Sequence, residues 1–393
     1  MILQKRYERA IEALNKNDID AWIFCGRETN ILGEPAMLYL MPMEAMGRTA
    51  VIITSTGERI CIAGAIEMEE VEDSGLFTQT YVNQGLELAV AEVLRPLLPL
   101  QRIAIDVSPN DPSSDGLSHS DYLLLTRAFD AAGFEGELVS SDCLMKHVRG
   151  RKSDEEVAKI AHTVSEAMRI YEEARPQMRL GMSGADVQAL FQGIIRAKGY
   201  GFSWHEPGNP YVSVGARSSY NCRRPPKDVY IEPGDLVNVD LGVRIDGFAS
   251  DNQRSFYALG PGETAPPYEV QHAWETIQRM NREVCAAMRT GVDSNSLTEI
   301  GNRIMLEQGY PEGWKGGYGH EIGLFAHNGG IGAGYSAARQ GQDTILEENM
   351  TFTLEPAILT SHGRLCQEEV VCVTKDGGRM LSVPQEEIWV IEG

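Results

Sequence analysis

The sequence predicts an α+β protein of two domains, residues 1–150 and 151–393. Three observations support this prediction. Strand-like runs alternate with helical ones along the first 150 residues, a helix-start signal follows at Ser153, and a helical segment of the second part occurs twice. A chain of 393 residues is long enough for about two domains, each with a sizeable core.

The overall composition excludes several classes of partner. The chain has 56 acidic and 35 basic residues, a formal net charge of −21, which argues against nucleic acid and anionic membranes. It contains no apolar run long enough to span a bilayer and no apolar segment typical of a signal peptide near its start. Its seven cysteines lie at irregular spacings without a CxxC pair, so we expect reduced thiols and a cytoplasmic protein.

The hydrophobic pattern of the first domain predicts a mixed α/β arrangement. It predicts a helix at 4–17, a strand at 19–26 and a hairpin at 48–65. A second strand at 102–108 and a second helix at 119–133 follow. Gly133 is a typical helix-ending residue. Because no polar residues converge here, we expect a structural role: covering a site, closing over it, or forming a homodimer.

The second domain begins with a long helix. Ser153 followed by Glu156 forms a capping box, and apolar residues then recur at helical spacing as far as Tyr171. This signal places the domain boundary close to residue 150.

An internal repeat follows this first long helix. Residues 179–200 and 289–310 each read as a turn and a helix, with Ser183 and Asp293 as N-caps. The identical pairs are Arg179/Arg289, Gly181/Gly291, Ile194/Ile304, Gly199/Gly309 and Tyr200/Tyr310. Two such copies imply halves related by a pseudo-two-fold axis, and a cleft is expected where the halves meet.

A hairpin after the first copy carries two acids. Asp240 ends the strand-like run LVNVDLG, Asp246-Gly247 is a hairpin turn, and Asp251 lies on the return strand. Two neighbouring carboxylates repel each other, and a shared divalent cation removes that conflict. The alternative interpretation is a pair of solvated acids at the strand ends.

Further potential ligands follow the second copy. His320 and His327 lie between glycines, Glu355 ends a strand, and Glu368 begins a Val-rich buried strand. A charge in such a strand is unusual unless it is paired or liganded. Together with the hairpin acids this set offers four carboxylates and one imidazole, that of His320, which suits a pair of divalent cations such as Mn²⁺, Co²⁺, Fe²⁺ or Zn²⁺.

These segments together resemble a known family. NVDLG, SDNQR, GHEIG, LEP and QEEVVCVT have the order and spacing of the signature segments of the pita-bread metallopeptidases, which include methionine aminopeptidase, aminopeptidase P, prolidase and the metal-free creatinase. The first domain and KSDEEVAKI at the boundary are similar to the prolidase/creatinase branch. The resemblance implies a creatinase/prolidase-like N-terminal domain and a pita-bread catalytic domain.

The resemblance also implies a set of functional residues. It implies two divalent ions per chain, held by the five ligands Asp240, Asp251, His320, Glu355 and Glu368. It places His327 beside the metals, in contact with the substrate. We expect Glu355 to take and return the proton of the attacking water and His327 to stabilise the oxyanion.

Several positions depart from the family pattern. Where relatives carry a substrate-contacting His, this chain reads SYNCRRPPKD, so we expect Arg223 or Arg224 to bind a substrate carboxylate, or both to be solvated. Cys366 replaces the family's Arg two residues before the last Glu, as a pocket filler or as a thiol nucleophile. Trp204 is assigned to packing rather than to a pocket.

The expected function is hydrolysis of a C–N bond in a small substrate or dipeptide by an Xaa-Pro dipeptidase- or aminopeptidase-like enzyme. The altered substrate positions leave two alternatives open. One is a creatinase-like hydrolase or lyase acting on a non-peptide substrate, and the other is a non-catalytic binding protein on the same fold.

Overall fold

The computed structural model describes residues 2–29, 33–109, 111–218, 227–313, 317–328, 330–331 and 345–392. The chain forms two compact units, Met1–Gly150 and Arg151–Gly393. None of the helices in the described ranges is long and apolar enough to cross a membrane.

The first unit alternates strands and helices. Its helices are α1 Ile2–Lys16, α2 Pro35–Leu40, α3 Met68–Asp73, α4 Leu86–Leu94, α5 His119–Ala132 and α6 Asp142–Gly150. Its strands are β1 Ala21–Gly26, β2 Thr49–Thr54, β3 Arg59–Ala63, β4 Gln79–Val82, β5 Arg102–Ile105 and β6 Glu137–Ser140.

These six strands form one mixed sheet in the order β4-β3-β2-β1-β5-β6. The central strands β1 and β2 are wholly buried because their sequences, AWIFCG and TAVIIT, are continuous apolar runs. The edge strands β4 and β6 are more polar and more exposed. The predicted ending of α5 is correct: Gly133 adopts a left-handed φ of 83° there.

The second unit contains four α-helices and fourteen strands among its described residues. The helices are α7 Asp154–Ala174, α8 Gly184–Ala197, α9 Tyr268–Ala287 and α10 Leu297–Glu307. The first strands are β7 Gly201–Phe202, β8 Tyr211–Val214, β9 Leu236–Leu241, β10 Val243–Ile245, β11 Phe248–Ala249 and β12 Asn252–Ala258. The later strands are β13 Gly319–His320, β14 Gly330–Ile331, β15 Thr351–Leu354, β16 Ala357–Thr360, β17 Gly363–Cys366, β18 Glu369–Val373, β19 Gly378–Met380 and β20 Trp389–Ile391.

Two sheets of this unit position the acids. One has the order β20-β12-β9-β8, and the other has the order β15-β18-β19. One hydrophobic cluster packs α7 and α8 on the first of these sheets, and another packs α9 and α10 on the second. The predicted capping box that starts α7 is present, with Ser153 and Glu156 each accepting from the other's backbone N–H.

The internal repeat reappears as matching hydrogen bonds. The N–H of Gly181 donates to the carbonyl of Ile231 at 2.9 Å, and that of Gly291 donates to the carbonyl of Leu346 at 2.8 Å. Both glycines have left-handed φ values, 80° and 89°, which explains why both copies of the repeat keep glycine here. The equivalent sequence positions therefore have equivalent local structures.

The repeat extends into the strands that follow each helix pair. Gly234 and Asn349 have left-handed φ values of 92° and 66°. The strand β9 or β15 begins two residues after this turn, and the fifth residue counted from the strand's start is a carboxylate, Asp240 or Glu355. Each half of the unit therefore delivers an acid at the same point of its strand.

Candidate metal centre

The hairpin acids lie on one face of the β9–β12 pair. The predicted turn is present, with left-handed φ values of 49° at Asp246 and 82° at Gly247. The antiparallel register places Asp240 opposite Gln253. Because side chains alternate along a strand, Asp251, two residues before Gln253, points to that same face.

The second half brings three more side chains to this face. Glu355 directly follows β15, and its N–H donates to the carbonyl of Tyr318 at 2.7 Å. His320 in β13 is fixed through its own N–H, which donates to Thr353 Oγ1 at 3.1 Å. Glu368 directly precedes β18, and its N–H donates to the carbonyl of Gln253 at 3.2 Å.

All five predicted ligands come together. Asp240, Asp251 and Glu368 offer ligand atoms within 4.8 Å of one another, and so do His320, Glu355 and Glu368. His320 Nε2 lies 3.4 Å from Glu355 Oε1 and 3.6 Å from Asp251 Oδ2. Residues separated by as many as 128 positions in the sequence thus form one centre, in which Asp251, His320 and Glu368 are buried and the other two residues are partly buried.

His327 lies at the edge of this centre. Its Nε2 is 3.4 Å from Asp251 Oδ2, and its ring centroid is 4.8 Å from that of His320. Half of its side chain is exposed, 51%, whereas the His320 side chain is only 3% exposed. Partial burial and the neighbouring His320 lower the pKa of His327 to about 4, so the imidazole is neutral at physiological pH.

The carboxylates cannot all ionise in this environment without compensation. Burial, followed by the charge of Glu355, raises the pKa of Asp240 to about 7, and burial raises that of Glu355 itself to about 7. Burial and the neighbouring acids raise the pKa values of Asp251 and Glu368 well above the usual range. Acids crowded in this way either retain protons or bind cations.

The oxygen atoms of the centre fit a bound cation. Asp240 Oδ1, Glu355 Oε1 and Glu368 Oε1 are buried, and none accepts a hydrogen bond from the residues that the structure describes. Buried polar atoms are normally satisfied, so three such oxygens in one cluster require another partner. Carboxylate oxygens with imidazole nitrogen are the donor set of borderline divalent ions.

Trp204, which the sequence assigned to packing, lies beside the candidate centre. The Trp204 ring centroid lies 5.4 Å from that of His327 and 5.8 Å from that of Tyr211. Its Nε1 donates to the carbonyl of Gly208 at 2.8 Å, which fixes the indole. Trp204 packs, as predicted, but it packs against a candidate catalytic imidazole.

Two further residues were missed altogether. Gln253 Nε2 donates to Glu355 Oε2 at 3.2 Å and to Glu368 Oε2 at 2.9 Å. Arg364 Nη1 donates to Gln253 Oε1 at 2.5 Å and to Asn238 Oδ1 at 2.6 Å. The available signal was strand alternation, because Arg364 stands two residues before Cys366 in β17 and shares its face.

The predicted substrate residues have different outcomes. Cys366 is fully buried, and its Sγ lies 3.6 Å from the backbone carbonyl of Glu355, an arrangement consistent with the pocket-filler alternative. Burial raises its pKa well above the usual value, which disfavours a thiolate. Arg223 and Arg224 lie outside the described residues, so their substrate contacts stay predictions, as does a substrate contact of Cys366.

A centre of four carboxylates and an imidazole on this fold is that of a metal-dependent peptidase. Comparison with known proteins supports this class and makes it specific. The model of Metallopeptidase family M24 matches residues 155–377, more than half of the chain. The chain belongs to metallopeptidase family M24, and the resemblance seen in the sequence is confirmed.

Individual relatives agree with this assignment. An Xaa-Pro dipeptidase of Lactobacillus helveticus is 26% identical over 279 residues, 70% of this chain and 71% of the relative. An Xaa-Pro dipeptidase of Pyrococcus horikoshii is 21% identical over 98% of this chain and 99% of its own length. The solved structure of an Xaa-Pro dipeptidase from Bacillus anthracis covers 99% of this chain and 100% of its own, with a TM-score of 0.76 and 20% identity, and shows the same pita-bread fold.

Proposed function

We propose that this chain is a dinuclear metal-dependent hydrolase that cleaves the Xaa-Pro bond of short peptides. The observation that carries the proposal is the buried centre of Asp240, Asp251, His320, Glu355 and Glu368, with its three carboxylate oxygens that accept no hydrogen bond from described residues. The Xaa-Pro bond is suggested by the names of the relatives.

The metal ions would be held by these five residues. Asp251 and Asp240 lie on the β12 side, and Glu355 and His320 on the β15 side. There are three clusters of three potential ligands, one of which includes His327, and Asp251, His320 and Glu368 each belong to two of them. We therefore assign Asp251, His320 and Glu368 as the residues most central to a two-ion site. When bound, the ions lower the pKa of water and polarise the scissile carbonyl.

Glu355 is suited to transfer the proton. Its side chain is 20% exposed, whereas those of Asp251 and His320 are 3% exposed, so one oxygen can reach both the centre and a substrate. A carboxylate in this position can accept a proton from water and return it to a leaving group. Glu355 would take a proton from the attacking water and give it to the proline nitrogen that leaves.

His327 is suited to contact the carbonyl oxygen. Its half-exposed ring lies against both Asp251 and Trp204, at the margin of the buried acids. As a neutral imidazole it carries one N–H donor, which can stabilise the negative charge that develops on the carbonyl oxygen. Trp204 restricts the ring from its other side, which limits the orientations that His327 can adopt.

The test is an activity assay in which a panel of substrates is offered to the protein in the presence of Mn²⁺. Mn²⁺ is one of the four divalent ions that the donor set is expected to suit. The panel contains Xaa-Pro dipeptides, matched Xaa-Ala dipeptides and creatine. We expect hydrolysis of Xaa-Pro dipeptides that is lost on chelation and restored by the metal. Metal-dependent hydrolysis of creatine alone would favour the non-peptide alternative, and binding of dipeptides without turnover would favour a binding protein.

His327→Ala is the informative variant in this assay, with Tyr81→Ala on the surface of the first unit as its matched control. If His327 stabilises the oxyanion, its loss should lower kcat about 10²–10³-fold, as the loss of one oxyanion donor does. The metal content should not change. Unchanged kcat would remove His327 from the catalytic machinery while leaving the metal centre intact.

A further inference from the structure

Gln253 links two carboxylates of the candidate centre, Glu355 and Glu368. Its Nε2 carries two hydrogens, and it has two acceptors: Glu355 Oε2 at 3.2 Å and Glu368 Oε2 at 2.9 Å. The side chain is only 2% exposed, so water cannot substitute for either acceptor without entering the core. One amide therefore connects two acids that come from different strands.

The orientation of this amide is fixed from both of its ends. A carboxamide that is rotated by half a turn would point its oxygen at Glu355 and Glu368, where oxygen would repel oxygen. Arg364 prevents this, because a guanidinium only donates, and its Nη1 lies 2.5 Å from Gln253 Oε1.

Arg364 is itself held in place. Its Nη1 also donates to Asn238 Oδ1 at 2.6 Å. Asn238 is buried, 3% exposed, and its Nδ2 lies 3.3 Å from Ser255 Oγ in the neighbouring strand. The chain of contacts thus runs from β9 through the guanidinium to Gln253 in β12.

These contacts distinguish the two oxygens of each glutamate. The Oε2 atoms of Glu355 and Glu368 accept from Gln253, whereas their Oε1 atoms accept no hydrogen bond from described residues. The bonded oxygens fix the rotation of the two carboxylates. The remaining oxygens are then directed at the candidate metal centre, which is how outer hydrogen bonds orient metal ligands.

We infer that Arg364 and Gln253 are positioning residues of the metal centre, with Arg364 acting through the Gln253 amide. The inference rests on the proposed metal site. Cys366 stands where the family has an arginine. Arg364, two residues earlier on the same face of β17, supplies an arginine in its place. Neither residue touches the reacting atoms, so neither is a catalytic residue.

The test is a double-mutant cycle that measures the affinity for Mn²⁺ by calorimetry on metal-stripped protein. The variants are Gln253→Met, Arg364→Met and the double substitution. Each single change should weaken Mn²⁺ binding about 10- to 100-fold, the range for partners of metal ligands. If Arg364 acts through the amide, the double variant should bind no more weakly than Gln253→Met alone.

Arg303→Met is the matched control, because Arg303 is a half-exposed arginine in ion pairs on α10 and should leave Mn²⁺ affinity unchanged. Independent losses that add in the double variant, or Gln253→Met binding Mn²⁺ as tightly as the parent, would overturn the inference. Failure of the unmodified protein to bind Mn²⁺ would instead overturn the proposed metal site. Circular dichroism checks folding, and Arg364→Lys enters the same cycle if Arg364→Met does not fold.

Discussion

Buried acids occur in both units, with different surroundings. In Met1–Gly150, burial raises the pKa of Asp106 to about 6 and that of Glu34 well above its usual value. Trp22 Nε1 donates to Asp106 Oδ1 at 2.7 Å, and the N–H of Ala36 donates to Glu34 Oε1 at 3.0 Å. The other oxygens of the two acids, Glu34 Oε2 and Asp106 Oδ2, are buried and accept no hydrogen bond from the residues that the structure describes.

The centre in Arg151–Gly393 has twice as many carboxylates and includes an imidazole, His320. Among the residues that the structure describes, every cluster of three or more potential metal ligands lies in this unit. The comparison teaches that burial, a raised pKa and an unsatisfied oxygen do not by themselves indicate a metal site, because the acids of the first unit share all three. The number of potential ligand atoms that converge distinguishes the second unit.

The largest expected difference is between the substitutions of Asp251 and Asp106, in their effects on metal affinity and hydrolysis. Asp251→Asn and Asp106→Asn each remove one buried charge and keep the shape of the side chain. Asp251→Asn should lower metal affinity and hydrolysis by at least about 10–100-fold, since removing a ligand should cost no less than removing its outer partner. Asp106→Asn should change neither.

Metal analysis and Xaa-Pro dipeptide hydrolysis, measured on both variants, check this prediction. Equal losses in the two variants would mean that both acids act on stability alone. Full metal content in Asp251→Asn would remove this residue from the ligand set.

A second prediction concerns the effect of pH on the metal-free protein. The pKa values of Asp240 and Glu355 are about 7 in the folded state and near 4 in the unfolded chain, so folding takes up protons between these values. The free energy of unfolding should therefore fall as pH rises through this window, by about 1.4 kcal/mol per pH unit for each group. Most of this contribution is lost once pH has passed the folded pKa.

Metal should reverse this trend in the second unit, because bound cations replace the protons. Thermal unfolding in chelator and in Mn²⁺, from about pH 5 to about pH 8, checks it. The metal-loaded protein should gain stability relative to the metal-free protein as pH rises. A metal-free protein that becomes more stable over this range would contradict the assigned pKa directions.

The smallest effect is expected at Asp106 in the first unit. Trp22→Phe removes the indole N–H that lies 2.7 Å from Asp106 Oδ1. The free energy of unfolding should fall by about 1–3 kcal/mol, the cost of leaving a buried acceptor without its donor. Metal content and hydrolysis should stay at the level of the parent protein.

Chemical denaturation of Trp22→Phe, alone and combined with Asp106→Asn, separates the hydrogen bond from the lost ring volume. A loss that is the same in both backgrounds would come from volume, and the hydrogen bond would then contribute nothing.

Much of the fold was predictable because its signals are local. The Ser153 capping box, the Gly133 helix end and the Asp246-Gly247 turn each depend on a few neighbouring residues, and all three are present in the structure. The internal repeat was readable for the same reason, since left-handed turns require glycine at Gly181 and Gly291.

The candidate site was predictable only in part. Its five candidate ligands occur in recognisable segments, and the structure brings them together. Gln253 and Arg364 were missed because a hydrogen bond between residues 111 positions apart leaves no local pattern. Trp204 was expected to pack, but its partner was not predicted. The contact of Trp204 with His327 depends on how two segments that are distant in the sequence meet.

The most direct test of the centre is the number of Mn²⁺ ions bound per chain, counted by titrating metal-stripped protein and by elemental analysis of the product. Two carboxylate-rich clusters that share Glu368 predict about two ions per chain, with hydrolysis appearing as they bind. A protein that binds no Mn²⁺, or that hydrolyses its best substrate at full rate after the metal has been removed, would contradict the proposal that these residues form a metal centre.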